Sequence, residues 1–318
     1  MADTKKNTDN STLVQPVIEA LLDTTQVFPA RYLTFFSDIS RPAMQALREA
    51  WTSVPVERKI SLLSDLETIM ETDSLLSFDE VAKFALDDED PHVRSRAISL
   101  LWESDDSRFV EKLSEMLDHD PSELVQISAA AGLGRFVLMG ELDEIPEKSF
   151  ERALSSLRNK ELKTPHKEIQ QEILKSLAYT GSREINSQIQ RAYEDPDPTW
   201  QLAAIIAMGR TADERWEMAV LDAMNSSIIA IQNEAVKAAG EIELESARLP
   251  LLEMLESGIA DFELRLHVIW ALAHIGGEDV KEALNNLLEE ADDDEEISVI
   301  EMALEHLEFS EELPDLDL

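Results

Sequence analysis

Trp270 stands between His267 and His274, and these three side-chain types most invite chemistry in this sequence. Imidazoles ligate metals and move protons near neutral pH. On a helix, though, seven residues are two turns, about 10 Å along the axis, too far for the pair to share one metal directly. Each histidine therefore reads as exposed or carboxylate-paired. The tryptophan points to binding, because a large aromatic flanked by mixed charge has hot-spot composition. Tyr179, Ile206, Arg210 and Lys237 fall on the same helical face in the register set out below. The expected chemistry is recognition of a peptide or protein on that face, with no cofactor. The plainer alternative is a stripe less charged only because neighbouring helices crowd it.

Other chemistries find no footing. There is no cysteine, which removes disulfides, thiolate metal sites and cysteine nucleophiles. The sequence has no phosphate-cradling Gly-rich loop, nucleophile elbow or His-Glu-x-x-His helix. Asp292, Asp293 and Asp294 lack the alternating spacing and turn glycine of a calcium loop.

The element that must position the trio is Asp261–Gly276, DFELRLHVIWALAHIG. Leu264, Val268, Ala271, Leu272 and Ile275 stand at offsets 0, +4, +7, +8 and +11, the period of a helix burying one stripe. Asp261 is placed to cap its start and Gly276 to end it. The pattern recurs with anchors at Val93, Val125, Ile169, Trp200, Ile231, Leu264 and, more loosely, Val299. Small residues recur at +9, as in Gly134, Gly209, Gly240 and Ala273, and admit close helix approach. A period near 32 residues held this long is a repeat signature. The one 44-residue interval predicts a lengthened connection near Gly140–Pro146 or Asn159–Pro165.

Each anchor helix follows a shorter apolar-periodic segment and a turn, often Asp-Pro or Thr-Pro, as at Asp120-Pro121, Thr164-Pro165 and Asp197-Pro198. Such punctuation supplies an N-cap and a first-turn proline, so the unit is helix, turn, helix. One pair cannot bury its own stripe, but stacked pairs can. The expected fold is all-α: a right-handed α/α solenoid of about seven hairpins with an N-terminal helical cap.

DFELRLHVIWALAHIG and DPHVRSRAISLL resemble the second helix of a HEAT repeat, roughly D-x-x-V-R-x-x-A-x-x-A-L-G-x-I-G. The resemblance runs over about residues 78 to 309, with the short period of bacterial HEAT-like repeats, those of phycobilin lyases included. The amino-terminal phrases FFSDIS and WTSVPVERK (Trp51–Lys59) are similar to those of bacterial HEAT-repeat proteins. The resemblance implies that second helices line a concave side. There the +3 column reads Arg96, Ser128, Glu172, Ala203, Glu234 and His267. The +6 column reads Ser99, Ala131, Lys175, Ile206, Lys237 and Trp270, and the +10 column Glu103, Arg135, Tyr179, Arg210, Glu241 and His274. Five bases against four acids leave this stripe near neutral in a chain of net charge −38. The likeness also raises two alternatives. A phycobilin-lyase-like protein would hold a tetrapyrrole between Tyr179, Trp270 and His274. The HEAT-like di-iron enzyme deoxyhypusine hydroxylase carries His-Glu steps at +2 and +3, where this chain has pairs such as Gln171-Glu172 and Leu266-His267 and no His-Glu.

At +1 a polar column, Arg94, Gln126, Gln170, Gln201, Gln232 and Arg265, is expected to bond the turns of adjacent repeats. The charge excludes a phosphate backbone as partner and leaves two readings, a solubilising surface or attraction for a basic protein. Acid is densest from Glu278 to Leu318, with 17 acids against Lys281 alone. No apolar run reaches membrane-spanning length, and MADTKKNTDNST lacks a secretion-signal core, so a cytoplasmic monomer is expected. The chain divides into a disordered start (1–11), a helical cap (12–77), the repeats (78–309) and an acidic tail (310–318). In the cap, Phe28, Tyr32, Phe35 and Phe36 are expected to cover the first repeat; the other reading is a partner or dimer contact.

Overall fold

Aspartates set where several helices begin. The Asp90 carboxylate accepts from the amides of His92 and Val93 at 2.8 and 3.4 Å, Asp197 from Thr199 at 2.9 Å, and Asp261 from Leu264 at 2.9 Å. Each satisfies orphan donors of a first turn. Asp120 departs from this pattern: it tightens the turn by accepting from Ser122 N at 2.9 Å, and the helix starts at Glu123. The computed structural model describes residues 3–73, 75–102 and 104–312, and every regular element among them is helical. No helix among them is long and apolar enough to cross a membrane.

The chain forms two compact units, Met1–Ile169 and Gln170–Leu318. The first holds α1 (Asp3–Leu22), a 3-10 helix (Ala30–Phe36), α2 (Arg41–Trp51), α3 (Val56–Thr72), α4 (Asp79–Ala85), α5 (Pro91–Ser99), α6 (Phe109–His119), α7 (Glu123–Glu141) and α8 (Glu147–Glu161). Helix α1 begins at Asp3, inside the segment 1–11 expected to be disordered, of which residues 1–2 lie outside the described residues. Of the acidic tail, 313–318 lie outside them too. Phe28, Phe35 and Phe36 are buried, with Phe36 at 6.1 Å from Phe28 and 5.4 Å from Phe35 between ring centroids. These three rings are spent on the core, whereas Tyr32 is half-buried with the Arg31 guanidinium 4.8 Å from its ring centre. The 44-residue interval lengthens helices instead of loops: α7 has 19 residues and α8 has 15. Gly140 lets α8 approach, since a Cβ there would overlap the Phe150 ring.

The Trp51–Lys59 phrase has a structural cause. Trp51 Nε1 donates to Asp88 Oδ2 at 2.6 Å, and Lys59 Nζ reaches the same oxygen at 2.8 Å while lying 5.1 Å from the Trp51 ring centre. The Asp88 side chain is 3% exposed. Burial works to raise the Asp88 carboxyl, but Lys59, the Asp90 amide and Trp51 outweigh it and hold the carboxyl below its ordinary value.

The second unit takes in most of α9 (Lys167–Leu177) and then α10 (Arg183–Tyr193), α11 (Pro198–Arg210), α12 (Glu217–Ala223), α13 (Ile229–Glu241), α14 (Arg248–Ser257), α15 (Phe262–Ile275), α16 (Glu278–Glu290) and α17 (Asp294–Glu312). Second helices stand side by side, α11 on α13, α13 on α15 and α15 on α17, and each first helix packs on its own second helix. Val268, Ala271, Leu272, Ala235, Ala239, Ala204 and Met208 are fully buried between them. The small side chains at these offsets are what permit the close approach.

The polar +1 column behaves partly as expected. The glutamines close their own turns: Gln126 Nε2 donates to Asp120 O at 2.7 Å, Gln201 to Asp195 O at 2.9 Å and Gln232 to Met224 O at 2.9 Å. Arg94 and Arg265 reach the next repeat. Arg94 bonds Asp88 O and Glu89 O and grips Asp120 with two nitrogens at 2.8 and 2.9 Å, and Arg265 Nε lies 2.5 Å from Glu296 Oε1.

Candidate binding wall of the second unit

The last repeat corrects the register. In α17 the buried positions are Glu296, Ile300, Ala303 and Leu307, which are offsets 0, +4, +7 and +11 from Glu296. The anchor is therefore Glu296 and not Val299, three residues earlier and 32 beyond Leu264. The position holds a carboxylate that Arg265 neutralises in place of the apolar anchor of the other repeats. With this register Val299, Met302 and His306 take the +3, +6 and +10 positions.

His306 thus continues the +10 column beside His274, and the two rings stack with centroids 4.6 Å apart at 20°. On its other side His274 lies 4.1 Å from the Trp270 ring, and its Nδ1 is 2.9 Å from the Trp270 carbonyl oxygen. Trp270 is half-buried, and a Cβ on Gly240 would come within 2.6 Å of its indole and 2.9 Å of Ala271 Cα. The absence of a side chain at Gly240 is what seats the ring. On α17, Met302 is 58% exposed and Phe309 64% exposed, so apolar surface continues past the stack.

His267 sits one turn before Trp270, half-buried, with Nδ1 enclosed and unbonded among the described residues. Burial holds its imidazole below the ordinary value and Lys237 adds to this, against the pull of Glu263, Glu234 and Asp261. Lys237 is half-buried and pairs with Glu234 at 3.3 Å, and Lys175 pairs with Glu172 in the same i,i+3 geometry. The bases of the +6 column are thus already met by acids of the +3 column.

Farther along, the Arg210 guanidinium lies 5.1 Å from the Tyr179 ring centre. In the first unit, Arg135 and Trp102 repeat that arrangement at 5.7 Å. Such stacking fixes a cation without a carboxylate. Glu241 is exposed as a residue, but its carboxylate lies over Gly209, where a Cβ would collide with it. Burial raises the Glu241 carboxyl; Lys237 and Arg210 oppose the shift and Glu234 adds to it. Ile206 is half-buried between these groups in the +6 column.

All seven expected residues lie on second helices or, for Tyr179, on the turn after α9. They form a stripe and not a pocket. Tyr179 and Trp270 are separated by α11 and α13, about 25–30 Å at 8–10 Å per helix, so with His274 they do not enclose one pigment. Among the described residues no group of three His, Asp or Glu could hold a metal ion.

The sequence profile of HEAT repeats matches residues 78–159 and 217–305, together more than half of the 318 residues. The chain belongs to the HEAT-repeat family. No curated protein matches it in sequence. Among solved structures it is similar to human deoxyhypusine hydroxylase in complex with glycerol, at 16% identity over 96% of this chain and 99% of that one, with a TM-score of 0.37. It is also similar to an engineered protein, at 20% identity over 97% and 92% with a TM-score of 0.37, and to Kap121p bound to Ste12p, at 15% over 95% and 34% with a TM-score of 0.40. All three scores fall below 0.5, so neither the hydroxylase's chemistry nor Kap121p's partner passes to this HEAT chain.

Within the HEAT frame, sequence reasoning missed His306, Met302 and Phe309. The 32-residue period was the signal that would have found them, had it been applied from Leu264 without requiring an apolar anchor.

Proposed function

We propose that this HEAT protein is a non-enzymatic interaction scaffold in the cytoplasm, binding a peptide or protein segment along the second-helix wall of residues 170–318. The observation that carries the reading is the Trp270–His274–His306 stack with Met302 and Phe309 exposed beyond it. The rings are held in place by one another and by Gly240, so a partner covering them gains apolar burial with little loss of side-chain freedom. The i,i+3 ion pairs neutralise Lys175 and Lys237 on the wall, and the acid-rich flank from Glu278 onward favours a partner with basic residues outside the contact.

The test is affinity capture from the native cell with wild-type protein, Trp270→Ala and Leu249→Ala, the last an exposed residue of a first helix. The expected result is loss of partners with Trp270→Ala alone. Retention of every partner by Trp270→Ala contradicts the assignment.

A further inference from the structure

Between α10 and the short 3-10 turn Glu214–Trp216 that precedes α12 runs an open groove of about 570 Å³. Its charged lining consists of Arg183, Arg191 and Arg215, with no carboxylate. In a chain of 66 acids and 28 bases this is a local reversal of sign. The arginines are also underused. The Arg183 guanidinium makes no hydrogen bond or ion pair among the described residues, and Arg191 spends only Nε, on Ser187 O at 3.1 Å. Arg215 gives Nε to Asp213 at 2.6 Å and is still about half exposed. Trp216 beside them is buried, with an indole N–H that meets no acceptor among the described residues. Every unspent group named here is a donor.

We propose that this groove docks an extended acidic segment of a protein partner, distinct from and independent of the second-helix wall. Guanidinium forks recognise carboxylates in two-point geometry. Arg183 and Arg191 are eight residues apart on one helix, about 12 Å along its axis. In an extended peptide, residues i and i+4 are about 13 Å apart and point to the same side. Carboxylates at alternate positions therefore match the arginine spacing, with the middle one left for Arg215. The chain's overall acidity does not prevent this, because charges beyond the Debye length, about 8 Å at physiological salt, are largely screened.

The experiment uses the full chain and a fluorescein-labelled seven-residue peptide alternating Glu and Thr, read by anisotropy at about 0.15 M salt, where the rest of the chain's charge is screened. Controls are the Gln-for-Glu peptide and a peptide of equal composition with its acids in one block. The expected result is binding of the alternating peptide, weaker binding of the block peptide, none of the Gln peptide, and a loss on the order of tenfold in R183A/R191A/R215A, three exposed charge contacts together. The melting temperature of the triple variant and its capture of partners through Trp270 should be unchanged. Equal binding of the Gln peptide overturns the proposal without any variant. Preference for inorganic phosphate or single-stranded oligonucleotide over the peptide overturns the choice of occupant. So does self-association in sedimentation that the triple variant abolishes, which would make the acid-rich terminus of a second copy the occupant.

Discussion

Trp51 and Trp270 belong to the two units and show opposite uses of the same side chain. Trp51 is 4% exposed, donates to Asp88 and lies against Lys59, so its ring, its N–H and both charges are all consumed inside the fold. Trp270 is half-buried, makes no indole hydrogen bond among the described residues, and stacks on a histidine that itself stacks on another. The first arrangement is finished. The second is held by ring stacking but keeps exposed surface and an indole N–H unspent among the described residues, which separates a structural aromatic from one placed to meet a partner. Two carboxylates repeat the contrast: Asp88 is held low by its partners, whereas Glu241 is pushed up by burial over Gly209.

Trp51→Ala is the strongest challenge to this contrast. It opens a cavity and strips Asp88 of a donor, and should cost about 3–5 kcal/mol in denaturant unfolding. A cost near that of a surface change would mean that Trp51 is not consumed by the fold.

Lys59→Met follows, at about 3 kcal/mol, because it leaves a buried carboxylate without its cation. Its pH dependence sharpens the point. The Asp88 carboxyl is lowered on folding, so its contribution is present above the ordinary carboxylate value and is lost as pH falls through the depressed folded value, below about pH 4. Stability against pH, measured for wild type and Lys59→Met, should show that acid-side loss shrinking in the variant.

In the second unit, Gly240→Ala should cost about 1–3 kcal/mol by overpacking against Trp270 and the Ala271 backbone. The altered seat should also change Trp270 fluorescence.

Glu241→Gln is the smallest and has the opposite sign. A carboxyl raised on folding contributes stability below its unfolded value and loses it as pH rises through the folded one. Removing the charge should therefore raise the midpoint slightly at pH 7, by about 0.5 kcal/mol or less. A drop would mean that Arg210 and Lys237 outweigh burial.

The repeat period, the caps at Asp90, Asp197 and Asp261, and the wall columns were legible because each depends on residues close in sequence. The Trp51–Lys59–Asp88 cluster was visible only as an unexplained phrase, since its hydrogen bonds join residues 37 and 29 positions apart. The last register differs from the expected one for another reason: apolarity does not mark burial there, since at Glu296 the buried group is a neutralised carboxylate. The exposed Met302 and Phe309 follow from that difference. The arginine groove was not legible at all, because Arg183, Arg191 and Arg215 share no period and meet only across two elements.

The central claim is that the second-helix wall of the second unit is the surface a partner covers, and photo-crosslinking in the native cell tests it most directly. A photo-reactive amino acid is placed at Met302 on the wall or at Leu249 on a first helix, both exposed. The account predicts discrete protein adducts from position 302, lost when Trp270→Ala is added, and none from position 249. Adducts from position 249 alone, or adducts from 302 that persist without the tryptophan ring, would contradict it.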